Sequence, residues 1–184
     1  MSAKSTESDP LAVNPTRLGL LSDSHGRHDR TARAVAQLVD AGVDLLIHLG
    51  DVNTTEVLDA LLYRVVDDRP SPPVRVVFGN TDWQVDEFTA YAERLGLTVD
   101  HPVGRLEIDG KIVVFQHGDH YQAMEEALAD GVDYLLHGHT HDARNEKMGR
   151  TRIINPGALQ RARRYSVAIL DIARDEVEFL EVER

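Results

Sequence analysis

Apolar residues in this chain come in short runs, each broken off by a polar loop that carries glycine. Arg17-Leu18-Gly19-Leu20-Leu21-Ser22 stops at Asp23-Ser24-His25-Gly26, and Asp44 to Leu49 stops at Gly50-Asp51. Val74 to Phe78 stops at Gly79-Asn80-Thr81-Asp82. Runs of this length between turn residues read as buried strands. Between them the spacing becomes helical. From His28 to Ala41, Ala32, Val35, Ala36, Leu38 and Val39 fit one helical face, with Gly42 as the stop. Thr54 or Thr55 can cap a second helix, whose stripe is Val57, Leu58, Leu61 and Leu62. A turn-rich break from Asp67 to Pro73 precedes the third strand, and a third helix from Glu87 to Leu95 ends at Gly96.

After Leu97 the alternation gives way to hairpins. Val103 to Ile108 and Lys111 to Phe115 flank Asp109-Gly110, a two-residue hairpin signal. The second of these strands ends in Gln116-His117-Gly118-Asp119. A helix over Tyr121 to Asp130 follows, then an apolar run from Val132 to His137 that ends in Gly138-His139-Thr140-His141. Arg144 to Met148, Thr151 to Ile154, Tyr165 to Ala173 and Glu176 to Glu181 read as strands, with Asn155-Pro156-Gly157 as a turn.

Composition narrows the classes. The 184 residues suit one domain, which at this size buries roughly 70% of its unfolded surface. The absence of cysteine removes disulfides, thiolate ligands and a thiol nucleophile. A net charge of -11, with Lys4, Lys111 and Lys147 as the sole lysines, argues against an extended nucleic-acid surface. Arginine over lysine fits either a salt-adapted surface or a GC-rich genome. Residues 1–15 are polar and lack the apolar core of a secretory signal, so a disordered tail is expected ahead of one domain over 16–184. No apolar run suits a membrane span. A cytoplasmic protein is expected, and a homo-oligomer is compatible with it.

Five strand ends carry ligand-type side chains: Asp23 and His25, Asp51, Asn80, His117, and His139 with His141. Each has a structural reading when taken alone, as a helix cap, a turn residue or a loop histidine. Two histidines at alternate positions of extended backbone would face one point, and Gly138 would let the chain bend beside them. In α/β sheets, loops at the carboxyl ends of strands converge on ligands. Carboxylates, imidazoles and an amide suit first-row divalent ions, and seven donors suit two ions sharing a carboxylate.

In this order, D-x-H, G-D, G-N, H-G and G-H-x-H, the motifs resemble those of the calcineurin-like metallophosphoesterases. Size and spacing resemble their small prokaryotic phosphodiesterase branch. The resemblance runs from about Arg17 to the C-terminus and includes Asn155-Pro156-Gly157. It implies an α/β fold, a four-layer α/β/β/α sandwich with two mixed β-sheets. It implies one ion on Asp23, His25 and His141, another on Asn80, His117 and His139, and Asp51 bridging both. Two divalent ions are expected, Mn²⁺ foremost, with Fe, Zn, Co, Ni or Mg as alternatives. Set about 3.5–4 Å apart, such ions supply a bridging hydroxide for in-line attack on a small or activated phosphate ester. Asp51, Asn80 and His139 would then be catalytic as well as ligating.

Two departures bear on substrate. Where many relatives have G-N-H-E, Thr81 and Asp82 follow Asn80, so the histidine that would protonate the leaving group is missing. Where the branch often has H-G-H, Asp119 stands and His120 is displaced by one. Thr81, Asp82, His120 and Arg163 are the candidate substrate contacts. Arg161 and Arg164 read as a solvated cluster with Arg163, His48 and His137 as satisfied core histidines, and Trp83 as packing or as a pocket wall. Two other functions share the fold: a scaffold resembling the retromer small subunit, with a degraded metal site, and a metallo-nuclease.

Overall fold

The structure, a computed structural model, describes residues 15–62 and 71–184. The expected tail lies outside the described residues apart from Pro15, as does the expected break at Asp67 up to Pro70. Strands β1 (Arg17–Leu21), β2 (Leu45–Leu49) and β3 (Val74–Val77) alternate with helices α1 (His28–Asp40), α2 (Thr55–Ala60) and α3 (Val85–Arg94). Then come β4 (Thr98–Val99), β5 (Val103–Ile108), β6 (Lys111–Gln116), α4 (Tyr121–Ala129) and β7 (Tyr134–Leu136). β8 (Arg144–Met148), β9 (Thr151–Asn155), β10 (Ser166–Asp171) and β11 (Glu176–Glu181) complete the order.

The strands form two mixed sheets, six-stranded β11-β10-β1-β2-β3-β4 and five-stranded β5-β6-β7-β9-β8. β1 to β4 run parallel, β10 pairs antiparallel with β1, and β11 pairs antiparallel with β10. In the second sheet, β6, β7 and β9 are parallel between antiparallel edges. Strands covered on both faces need apolar residues on both, which is why β1 and β2 read as continuous runs. Leu18, Leu20, Leu45, Ile47 and Leu49 pack inward against Val113, Phe115, Leu136 and Ile154 of the other sheet. Leu21, Leu46 and Val76 point outward under α1 to α3 with Leu38, Leu58 and Phe88. Val114, Leu135 and Ile153 pack under α4 with Ala127. This is the four-layer α/β/β/α sandwich, and it sets the carboxyl ends of β1, β2, β3, β6 and β7 around one point.

Two local expectations shift, and one short strand is added to those read from the sequence. The buried face of α1 is Thr31, Ala34, Val35, Leu38 and Val39, with Ala32 exposed. Thr31 tolerates burial because its hydroxyl bonds Ser24 Oγ and the Arg27 carbonyl at 3.0 Å each. Helix α3 begins at Val85, two residues before the expected start at Glu87. β4 is two residues long, too short for alternation to show.

Candidate metal centre

Loops from separate strands are stitched together before any side chain meets. Asp23 N–H donates to the Gly50 carbonyl (3.0 Å), His25 N–H to Asp51 (2.9 Å) and Gly26 N–H to Val52 (3.0 Å). Within the second sheet Gly138 N–H meets the His117 carbonyl at 2.7 Å, and the two sheets join where His139 N–H meets Asp23 Oδ2 at 3.1 Å. Crowding makes glycine obligatory at two points. A Cβ on Gly79 would collide with Asp51 Oδ1, and one on Gly138 would collide with Ser22 Oγ and stand 2.8 Å from Asp23 Oδ2. Asp23, His25, Asp51, Asn53, His139, His141 and Arg161 all adopt positive φ, between 42° and 67°. Left-handed backbone at non-glycine residues costs about 1–3 kcal/mol each, and such strain gathers at functional sites.

The His-x-His pair is therefore not extended, and its two rings do not face one point. His141 Nε2 lies 3.1 Å from Asp23 Oδ1 and 3.3 Å from His25 Nε2. His139 turns instead to His117, Nδ1 to Nε2 at 3.2 Å, while His117 Nε2 is 3.2 Å from Asn80 Oδ1. Between the two groups stands Asp51. Its Oδ2 is 3.5 Å from His25 Nε2 and 3.5 Å from His117 Nε2, and its Oδ1 accepts the Thr81 N–H at 3.0 Å. Asp23, Asp51 and His117 are buried, His25, His139 and His141 half-buried, and Asn80 exposed, so the cluster opens on one side.

The far nitrogens set the tautomers. His25 Nδ1 donates to Asn53 Oδ1 (2.9 Å), His117 Nδ1 to the Leu49 carbonyl (2.8 Å) and His141 Nδ1 to the Arg161 carbonyl (3.4 Å). An imidazole protonated at Nδ1 presents only a lone pair at Nε2. The facing nitrogens of His25 and His141 are then both acceptors, and so are His117 Nε2 and Asn80 Oδ1. Asp23 Oδ1, fully buried, meets no donor unless His141 Nε2, 3.1 Å away, carries a proton. Converging lone pairs are favourable only around a cation or a captured proton. Asp23, His25, Asp51 and His141 each offer one ligand atom within 4.8 Å of the others, which fits a metal ion.

In the protein without an ion, protons partly play that role. The Asp23 hydrogen bond raises the His141 pKa above the ordinary histidine value, and burial opposes this. Burial would raise Asp23, but His141, the charge of His117 and the Ser22 hydroxyl together hold it below the ordinary carboxylate value.

Other expected residues fall in varied places. Thr81 lines a cavity of about 460 Å³ with His25, Asn53, Trp83, Gln84, Phe88 and Arg161. Asp82 does not face that cavity; it is buried, and its oxygens accept from the backbone N–H groups of Val52 (3.2 Å), Asn53 (2.7 Å) and Gly79 (2.8 Å). Burial raises its pKa, while those three donors pull the other way. Its work is to clasp two loops. His120 is exposed as the N-cap of α4. Arg163 lines a neighbouring cavity of about 410 Å³ with His141, Arg164, Tyr165 and Phe179, and the arginine that lines the cavity with His25 is Arg161. Trp83 is not packed but 88% exposed.

His48 is the satisfied core histidine that was expected. It accepts from Gly50 N–H at Nδ1 (3.2 Å) and meets Ser24 Oγ through Nε2 (2.8 Å), and burial pushes it down to about 4. His137 is only half satisfied: Nδ1 bonds the Gly138 carbonyl, but buried Nε2 has no partner among the described residues.

Asn53 escaped the sequence reading. Its Oδ1 orients His25, and its Nδ2 donates to the Thr81 carbonyl (2.9 Å) and hydroxyl (2.8 Å). The one available signal was a polar residue two places after Asp51. Partners that orient ligating histidines typically contribute about 10–100-fold to metal affinity. Asn53→Ala is expected to weaken binding of one divalent equivalent by that factor in calorimetric titration, and unchanged affinity would show that His25 is held by its backbone alone.

Residues 17–175 match the model of the calcineurin-like phosphoesterase superfamily domain. Phosphodiesterase MJ0936 of Methanocaldococcus jannaschii is 24% identical over 144 residues, covering 77% of this chain and 82% of that protein. A solved archaeal phosphodiesterase superposes with a TM-score of 0.80 at 23% identity, over 90% of this chain and 99% of that one. Vps29 from Entamoeba histolytica, solved with zinc, superposes with a TM-score of 0.57 at 18% identity, over 90% and 98%. Both superpositions are likenesses of fold.

Proposed function

Because this chain belongs to the calcineurin-like phosphoesterase superfamily, and so to the hydrolases of phosphate esters, we propose that it cleaves small or activated phosphodiesters at a dinuclear centre. One divalent ion would sit on Asp23, His25 and His141 and another on Asn80, His117 and His139, with Asp51 shared and Mn²⁺ the foremost candidate for both. The observation that carries this reading is Asp51 Oδ2, equidistant at 3.5 Å from one acceptor nitrogen of each half. Bound ions would supply Lewis acidity and an activated water for in-line displacement.

The chain's own residues do the rest. Asp51 and Asp23 bring negative charge to a buried floor, and the hydrogen bonds from His141 and Ser22 help hold the Asp23 carboxyl below the ordinary carboxylate value. The cavity of about 460 Å³ beside His25 admits an ester, and exposed Arg161 there offers paired N–H donors to non-bridging phosphate oxygens. Asn80 and His139, on the open rim, meet the ester as it arrives.

A scaffold of this fold has no need of a complete donor set, and this sequence keeps all seven donor residues. A nuclease needs a basic track for the phosphate backbone; Arg163 and Arg164 instead share their cavity with Asp142 and Glu181. Among the described residues no helix is long and apolar enough to cross a membrane. A cytoplasmic location and assembly as a homo-oligomer belong to the same proposal.

Titrating the stripped protein with Mn²⁺ should bind two equivalents and restore hydrolysis of bis(4-nitrophenyl) phosphate. Because protonated His141 competes with the ion, affinity should fall as pH drops through its raised pKa, with excess Mn²⁺ restoring activity there. The Asp23–His141 pair works in the opposite sense for the stripped fold. The part that comes from the raised His141 pKa is complete below the ordinary histidine value and lost as pH rises through the raised one. Full hydrolysis in stripped protein, or an acid decline that Mn²⁺ does not reverse, would refute the reading.

A further inference from the structure

One wall of the cavity beside His25 is unused by this chemistry. Trp83 is the chain's single tryptophan and is 88% exposed. Its backbone is nonetheless held fast. The preceding Asp82 is clasped by the Gly79, Val52 and Asn53 N–H groups, and the following Gln84 opens α3, its carbonyl accepting from Phe88 N–H at 2.9 Å. An indole presents a large apolar face, and leaving it in water forgoes the stabilisation its burial would bring. Within the same cavity stand His25 of the metal centre, Thr81 and exposed Arg161. Arg161 is positioned too, since its carbonyl accepts from His141 Nδ1 and its φ is +55°. A flat apolar face, a cation and a ligand imidazole thus share a space of about 460 Å³, which holds one ring and one phosphate.

We infer that Trp83 is a stacking platform that selects phosphate esters bearing a planar aromatic or heteroaromatic group, aryl or nucleoside, with Arg161 on the phosphate. The inference rests on the hydrolytic reading of the metal centre. It makes Trp83 a specificity determinant and leaves bond cleavage to the floor beneath it.

As the sole tryptophan, Trp83 reports its own occupancy by fluorescence. Mn²⁺-loaded protein is titrated with phenylphosphonate and with methylphosphonate, which share a head group and contain no ester to cleave. Phenylphosphonate should quench the emission and inhibit diester hydrolysis about 10-fold more tightly than methylphosphonate, a typical stacking advantage. Methylphosphonate should inhibit without quenching. Trp83→Ala, at an exposed position that the fold does not need, should erase the ratio of the two inhibition constants, and Trp83→Phe should keep most of it. Equal inhibition by the two phosphonates, or a ratio that survives Trp83→Ala, overturns the platform while hydrolysis persists. Failure of the hydrolytic reading looks different: the wild type then cleaves no diester with Mn²⁺ present, and an absent quench removes the platform as well.

Discussion

Replacing Asp51 by Asn is expected to cut ester hydrolysis by roughly 10²–10⁴-fold, the equivalent of several kcal/mol of electrostatic stabilisation by metal ions. The change is nearly isosteric, so packing on this buried side chain is kept. What is lost is the charge at Oδ2, which lies 3.5 Å from both His25 Nε2 and His117 Nε2. The Thr81 N–H bond to Oδ1 can survive on an amide oxygen, which turns the amide N–H group toward the acceptor nitrogens and repels any cation there. Both halves should therefore lose metal together. His25→Ala removes a ligand from one half only and should leave one equivalent bound. Metal analysis with rates on the two variants decides the matter. Equal stoichiometry and equal rates would remove Asp51 from its bridging position.

Hydrolysis should also depend steeply on the leaving group, with aryl esters cleaved far faster than alkyl esters. General acid catalysis is typically worth about 10²–10⁴-fold, and no imidazole follows Asn80. The Thr81 hydroxyl accepts from Asn53 Nδ2 at 2.8 Å and is too weak an acid to serve. The departing oxygen then leaves as an anion or takes its proton from water. Thr81→His should speed alkyl esters more than aryl ones and flatten the dependence. His120, exposed at the start of α4, is the rival source of a proton. A shallow dependence in the wild type that steepens in His120→Ala would assign the acid to His120. A shallow dependence unchanged in both variants would exclude both residues.

The βα units, the hairpin at Asp109-Gly110 and the five strand ends were all legible in the chain, for one reason. Strands buried on both faces must be apolar throughout, so each run is conspicuous and its end is marked where polar residues begin. The resemblance of the ordered motifs, more than periodicity, supplied the sandwich and is the source of the proposed division of the ligands between two ions. Spacing by itself suggested that His139 and His141 face one point. Their positive φ values send the rings to opposite halves, and backbone angle at a bend leaves no mark in apolar spacing.

The amino-acid order by itself determined which side chains could reach the carboxyl ends of the strands, because strand length and polarity are local properties. Only the tertiary structure decided which of them meet. Asn53 orienting His25, Asp82 clasping two loops, and Arg161 lining the cavity with His25 all depend on contacts between loops about 30 to 136 residues apart. Trp83 was decided the same way: its sequence context fits a packed residue as well as a pocket wall, and exposure depends on what the rest of the fold leaves uncovered.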